Sequence, residues 1–99
     1  MIQLKAFESH LLRVVYLGAP ESKRRAFYTI WIERSSEGFR VCKESGGGGK
    51  VLHRQSWDLE ALEEAGKLFS KKLREKTSPN RKNRIYRVFR EVSRVDPSA

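Results

Sequence analysis

The stretch ALEEAGKLFSKKLREKTS at positions 61–78 decides the fold, because the hydrophobic pattern changes period there. Its apolar positions recur at helical spacing, with Leu59 and Leu68 at the flank, and form a single stripe: Leu62, Ala65, Gly66, Phe69 and Leu73. Acidic residues near its start and basic residues near its end complement the helix dipole. The pattern predicts an amphipathic helix capped by Asp58 and ended by Pro79.

On both sides of this helix the hydrophobic pattern has a period of two, which is typical of strands. The alternation predicts strands over 10–17, 26–34, 39–44 and 50–56 before the helix, and a closing strand over 84–92 after it. Segment 26–34 carries large apolar side chains on both of its faces, which indicates a central strand. Segment 50–56 has few apolar residues and is expected to be little buried.

The connections between these strands are polar or rich in glycine. Residues 21–25 are basic and suit an exposed hairpin loop, and residues 35–38 suit a compact turn. Residues 45–49, which contain four consecutive glycines, predict a flexible tip without regular structure, because glycine loses the most conformational entropy on ordering. Residues 2–7 are either the beginning of the first strand or a separate short strand.

The length and composition agree with one small domain. The chain has 99 residues, of which 38% are hydrophobic and 33% are charged, so one sheet and one helix sharing a single core are expected. We predict an α+β domain over residues 1–95, with a small antiparallel sheet of four to five strands and one helix packed on it, followed by a tail over 96–99.

The helix contains Leu62-Glu63-Glu64-Ala65, Phe69, Lys71-Lys72 and Glu75-Lys76-Thr77, and it follows the strand and glycine segment over 39–49. In this order, these residues resemble the WGR domain family. The resemblance covers about residues 27–77 and implies a small antiparallel sheet with a packed helix. The family occurs in poly(ADP-ribose) polymerases and in stand-alone bacterial proteins, so the resemblance also implies DNA binding.

The Trp-Gly-Arg motif that names the family is degenerate in this chain. An ungapped alignment of the strand places Ser45, Gly46 and Gly47 at the three motif positions. In the polymerases, the Trp and the Arg of the motif contact DNA near a strand break. Ser45 has no ring and Gly47 has no side chain, so the resemblance implies no such break-specific contact here.

Net charge is the main functional signal. The chain carries +9, and the window from Lys71 to Arg90 holds nine basic residues against Glu75 alone. A polyanionic partner is expected, DNA more than RNA, bound through its phosphates with little sequence readout. The residues predicted to bind nucleic acid are Lys71, Lys72, Arg81, Lys82 and Arg84, with a second group at Lys43, Lys50 and Arg54 beside the glycine segment. The alternatives are a solvated charged surface that protects an edge strand, and a protein–protein interaction module without a nucleic-acid role.

The aromatic residues and the glycine segment give weaker signals. Tyr86 and Phe89 alternate in the closing strand, so only one of them is expected to be exposed, and Tyr86 is a candidate for base stacking or for a core position. Trp31 is expected in the core, and Trp57 is expected to pack beside the start of the helix. Gly46–Lys50 lacks the Ser or Thr and the following helix of a P-loop, although a backbone phosphate nest is an alternative to a flexible tip.

No residue pattern indicates catalysis or metal binding. His10 and His53 are distant in sequence, and Cys42 is the only cysteine, so no zinc-ligand spacing exists. Cys42 is expected to be a small apolar strand residue. We predict a protein that is not an enzyme and has no cofactor or metal. The lone thiol and the absence of an apolar segment of membrane-spanning length favour the cytoplasm, with no membrane partner, and leave the oligomeric state open.

Overall fold

The computed structural model describes residues 11–19, 21–23, 25–78 and 86–94. These residues form a five-stranded antiparallel sheet in the order β4-β3-β2-β1-β5, with one helix packed on it. The elements are β1 (Leu11–Ala19), β2 (Ala26–Ser35), β3 (Gly38–Gly47), β4 (Lys50–Leu59), α1 (Leu62–Thr77) and β5 (Arg87–Ser93). The predicted small antiparallel sheet with one helix is therefore confirmed.

Strand β2 is central, as its sequence predicts, and it buries side chains on both faces of the sheet. The face covered by α1, here called the helix face, carries Ile30, Val15 and Val41, against which Phe69 of the helix packs. The other face, here called the outer face, carries a smaller buried cluster made of Leu11, Val14, Trp31 and Cys42. Trp31 is thus a core residue, as expected, but it lies on the side of the sheet away from the helix.

The predicted apolar stripe of the helix is confirmed for Leu62, Ala65, Phe69 and Leu73, whereas a Cβ atom at Gly66 would face open space. Ala65 and Phe69 are fully buried against the sheet, and Leu62, Leu68 and Leu73 pack around them. The guanidinium of Arg13 lies 4.4 Å from the centre of the Phe69 ring. Arg13 also donates a hydrogen bond of 2.7 Å to the Glu91 carboxylate, so one side chain of β1 links the helix to β5.

The predicted start of the helix is wrong. Asp58 is not a cap but lies within β4, where its carboxylate accepts a hydrogen bond of 3.0 Å from Arg40 Nε. Strand β4 continues to Leu59 because Trp57 pairs with Val41 and Leu59 pairs with Phe39, which places both apolar side chains on the helix face. Trp57 therefore belongs to the sheet and not to a staple at the helix start.

Helix α1 begins after Ala61, which is extended and has no capping side chain, and it ends at Thr77. Ser78 is also extended, with φ −61° and ψ 130°. This is the geometry that a following proline imposes on the residue before it, so the predicted end of the helix is confirmed.

The prediction of an irregular segment over 45–49 is wrong for residues 45–47. Strand β3 continues through Gly46 and Gly47, which pair with Val51 and Lys50 of β4. The turn consists of Gly48 and Gly49 alone, whose φ angles of 61° and 79° suit a two-residue hairpin turn that needs positive φ at both positions. Gly48 and Gly49 are needed to close a regular hairpin. Gly46 and Gly47 are ordered by their backbone pairing with β4.

Residues 50–56 are exposed along their whole length, so the limited burial expected of that strand is confirmed. The closing strand is present as β5, and it pairs with β1 along an edge of the sheet. The interpretations of residues 2–7 and 96–99 lie outside the described residues. Within the described part of the chain, the helix is too short and too polar to cross a membrane.

Candidate nucleic-acid interface

Three lysines from two elements converge on the helix face, and we call them the lysine cluster. Lys72 and Lys76 are four residues apart on α1, so they lie on the same side of the helix. Lys43 comes from β3, where it pairs with buried Ile30 and points to the helix face between the sheet and the helix. A helix packed across this sheet therefore brings together lysines that are separated by about thirty positions in the sequence.

Aromatic rings form the floor beneath the lysine cluster. Lys72 Nζ lies 4.9 Å from the centre of the Trp57 ring, and Lys43 Nζ lies 6.0 Å from the same centre. The Tyr28 ring is also shared by two lysines: Lys76 Nζ lies 4.9 Å from its centre, and Lys43 Nζ lies 5.8 Å from it. Lys43 thus connects the two helix lysines through rings that it shares with each of them.

A third ring completes this floor. The centre of the Tyr86 ring lies 5.5 Å from Lys76 Nζ. The same ring packs edge to face against Tyr28, with the two ring centres 6.0 Å apart. Tyr86 is 5% exposed, so it is a core residue and offers no surface for base stacking. The prediction that only one of Tyr86 and Phe89 is exposed is confirmed, because Phe89 is 67% exposed.

The lysine cluster concentrates positive charge in a partly desolvated place. The Lys72 side chain is 24% exposed, against 78% for Lys67 earlier on the same helix. Its ammonium lies 3.9 Å from the Glu75 carboxylate. The electron-rich ring faces favour the ammonium groups but do not neutralise them. Each ammonium can donate three hydrogen bonds, so the cluster can serve an anion with several oxygens, such as a phosphate.

Of the five predicted binding residues that the structure describes, two come together and three lie elsewhere. Lys43 and Lys72 both belong to the lysine cluster, whereas Lys71 is exposed on the solvent side of α1 and Lys50 lies at the hairpin turn. Arg54 points to the outer face, where its Nη2 lies 3.1 Å from the Glu44 carboxylate. The other three predicted residues, Arg81, Lys82 and Arg84, lie outside the described residues.

Sequence reasoning missed two members of this site. Lys76 is not among the predicted binding residues, although its spacing of four from Lys72 places both on one side of the helix. Trp57 is predicted at the helix start, although its alternation with Gln55 and Leu59 continues the strand pattern. Both signals were present in the sequence, but the convergence with Lys43 depends on the sheet register.

The outer face holds a different arrangement of charge. A depression of about 310 Å³ there is lined by Trp31, Glu33, Arg40 and Cys42, among others. The Glu33 carboxylate accepts hydrogen bonds from Trp31 Nε1 at 2.8 Å and from the Cys42 thiol at 3.1 Å. Burial, together with Glu33, raises the pKa of the Cys42 thiol to about 12. The thiol is therefore protonated at neutral pH and is not an activated nucleophile.

Across the described ranges, no three side chains of His, Cys, Asp or Glu are grouped as metal ligands. Comparison of the chain with family models, with curated proteins and with solved structures finds no match.

Proposed function

We propose that this protein is a non-catalytic, WGR-like module that binds nucleic acid, DNA more than RNA, by holding backbone phosphates at the lysine cluster. The observation that carries the proposal is the convergence of Lys43, Lys72 and Lys76 above shared aromatic rings. The cytoplasm is the expected compartment, given the single cysteine.

The physical argument rests on charge that the fold gathers in one place. The cluster places three ammonium groups near one carboxylate, that of Glu75, and an anion bound between the lysines would gain the attraction of all three. Phosphates supply several acceptor oxygens and recur along a nucleic-acid backbone. Exposed Lys71 and Arg74 on the same helix extend the positive surface beyond the cluster. Binding of this kind reads the backbone and is nearly independent of sequence.

The test reverses the charge of one lysine at a time and compares positions inside the lysine cluster with a position outside it on the same helix. We expect Lys72→Glu and Lys76→Glu to weaken binding to a labelled blunt duplex on every sequence tested, by about tenfold or more each at 50 mM salt. Each should also lower the slope of log affinity against log salt by about 0.9, because one phosphate contact is lost. Fluorescence anisotropy across a salt series measures both quantities.

Lys67→Glu is the matched control, because it makes the same charge change on the same helix at a site that is 78% exposed and paired with Glu63. Its effect on affinity should be small and should vanish as salt increases. Equal losses for Lys67→Glu and Lys72→Glu would show that only the net charge matters, and would refute the lysine cluster as the binding site.

A protein–protein interaction module is the second candidate, and exposed apolar side chains favour it. Val51 and Leu52 on β4 are 45% and 57% exposed, and Val88 and Phe89 on β5 are 47% and 67% exposed. These pairs lie on opposite edges of the sheet, so they do not form a single patch. Sedimentation at increasing protein concentration, without nucleic acid, would detect self-association through either edge.

A further inference from the structure

The outer face carries an exposed aromatic ring at the β5 edge that the lysine cluster does not involve. Phe89 lies at an irregularity of the β1–β5 pairing, where Tyr16 pairs with Arg90 but the next residue, Leu17, pairs with Val88. Phe89 is the extra residue of this bulge. Bulges redirect a side chain, and here the redirected ring is 67% exposed, the largest exposure of any large apolar side chain among the described residues.

A glycine on the neighbouring strand leaves room for this ring to pack against the backbone. A Cβ atom at Gly18 would lie 2.2 Å from Cε2 of Phe89, so any side chain at position 18 would displace the ring. The ring therefore lies against the backbone of β1 while most of its surface remains in water. Phe27 of β2 pairs with Gly18 from the other side, so a second aromatic residue flanks the same glycine.

Two arginines of the same strand, Arg87 and Arg90, pair with Gly18 and Tyr16, so they lie near Phe89 on the outer face. The Arg90 guanidinium lies 6.0 Å from the centre of the Tyr16 ring. Arg87 has a side chain that is 66% exposed, and it donates a hydrogen bond of 3.1 Å to Glu21 at the start of the β1–β2 loop. Exposed arginines next to a positioned ring suit a ligand that combines a planar face with negative charge.

We propose that Phe89, seated on Gly18 and flanked by Arg87 and Arg90, is a stacking platform for an unpaired base of single-stranded nucleic acid. A base stacks on an exposed ring without regard to sequence, and the arginines contact the adjoining phosphates. The platform lies on the face opposite the lysine cluster, so it goes beyond the proposed duplex contact and does not depend on it. The positive charge beside the ring favours a polyanion over an apolar protein segment.

The experiment compares three labelled ligands by anisotropy: a ten-nucleotide oligo(dT), an abasic oligomer of equal length and charge, and a blunt duplex. The wild-type protein should bind oligo(dT) more tightly than the abasic oligomer, since only the former has bases to stack. Phe89→Ala should weaken oligo(dT) binding by about fivefold to 150-fold. It should leave the abasic oligomer and the duplex unchanged, and Phe89→Trp should retain the oligo(dT) affinity.

Val88→Ala is the matched control, because it removes an adjacent side chain that is 47% exposed without removing a ring. Gly18→Ala displaces the ring without deleting it and should cause an intermediate loss. Equal wild-type affinity for oligo(dT) and the abasic oligomer would overturn the platform, as would an equal loss on all three ligands with Phe89→Ala. Duplex binding that depends on Lys72 would survive either result, so failure of the platform is distinguishable from failure of the lysine cluster.

Discussion

The two faces of the sheet place their basic side chains in different surroundings. On the helix face, Lys43, Lys72 and Lys76 crowd over aromatic rings. On the outer face, Arg40 and Arg54 lie within 3.1 Å of the carboxylates of Asp58 and Glu44. Three lysines therefore lie together over aromatic rings on one face, whereas these two arginines of the other face are each paired with a carboxylate across the strands. The net charge of +9 does not reveal this difference. Whether a basic side chain faces a carboxylate or an aromatic ring depends on which residue the sheet register places opposite it.

The largest expected effect comes from truncating Phe69, the side chain that packs α1 on the helix face of the sheet. Phe69 is fully buried and also contacts Arg13, so Phe69→Ala should lower the free energy of unfolding by about 3–5 kcal/mol. Phe89→Ala is the matched control, because it makes the same substitution at an exposed site and should change stability by less than about 0.5 kcal/mol. Urea unfolding followed by circular dichroism measures both. Similar losses would contradict the assignment of Phe69 to the core.

The next prediction concerns the repulsion within the lysine cluster. Replacing Lys43, Lys72 and Lys76 together by Met keeps apolar stems against the rings and removes three charges. The duplex affinity of the triple variant should fall sharply, because three phosphate-binding groups are lost. Adding salt should stabilise the wild type more than the variant, because salt screens like charges. Thermal unfolding at about 20 and 300 mM salt tests this, and an equal response of the two proteins to salt would contradict it.

The helix and the central strand could be predicted from the sequence, because their periodicities are local. The stripe through Leu62 and Phe69 repeats every three to four residues, and segment 26–34 has apolar side chains on both faces. The end of the helix before Pro79 could be predicted because proline constrains the residue that precedes it.

The failures share one physical cause, which is that strand pairing overrides local signals. Asp58 has the chemistry of a helix cap, but cross-strand pairing with Arg40 keeps it in β4. Gly46 and Gly47 have the composition of a loop, but the ladder to β4 keeps them extended. For the same reason, Lys43 could not be placed beside Lys72 and Lys76 from the sequence, since their proximity depends on the register and on the packing of the helix.

A smaller effect should appear on the outer face at high pH. Cys42 keeps its proton in the folded state up to a pKa of about 12, whereas an ordinary thiol loses it near 9.0. Between these values the unfolded chain binds fewer protons than the folded chain, so the free energy of unfolding falls as the pH rises from about 9 to about 12. Cys42→Ala should show a shallower decline over this range. Identical slopes for the two proteins in pH-dependent urea unfolding would contradict a shielded thiol.

The smallest expected effect is the coupling between Arg40 and Asp58, which tests whether pairing on the outer face also stabilises the fold. Their side chains are 41% and 73% exposed, so water screens the attraction despite the 3.0 Å contact. A double-mutant cycle with Arg40→Ala and Asp58→Ala should give a small coupling that decreases with salt. A large coupling that salt does not reduce would mean that the pair behaves as a buried one. A small coupling would mean that the pairing of Arg40 with Asp58 chiefly offsets charge on this part of the outer face and adds little to the stability of the fold.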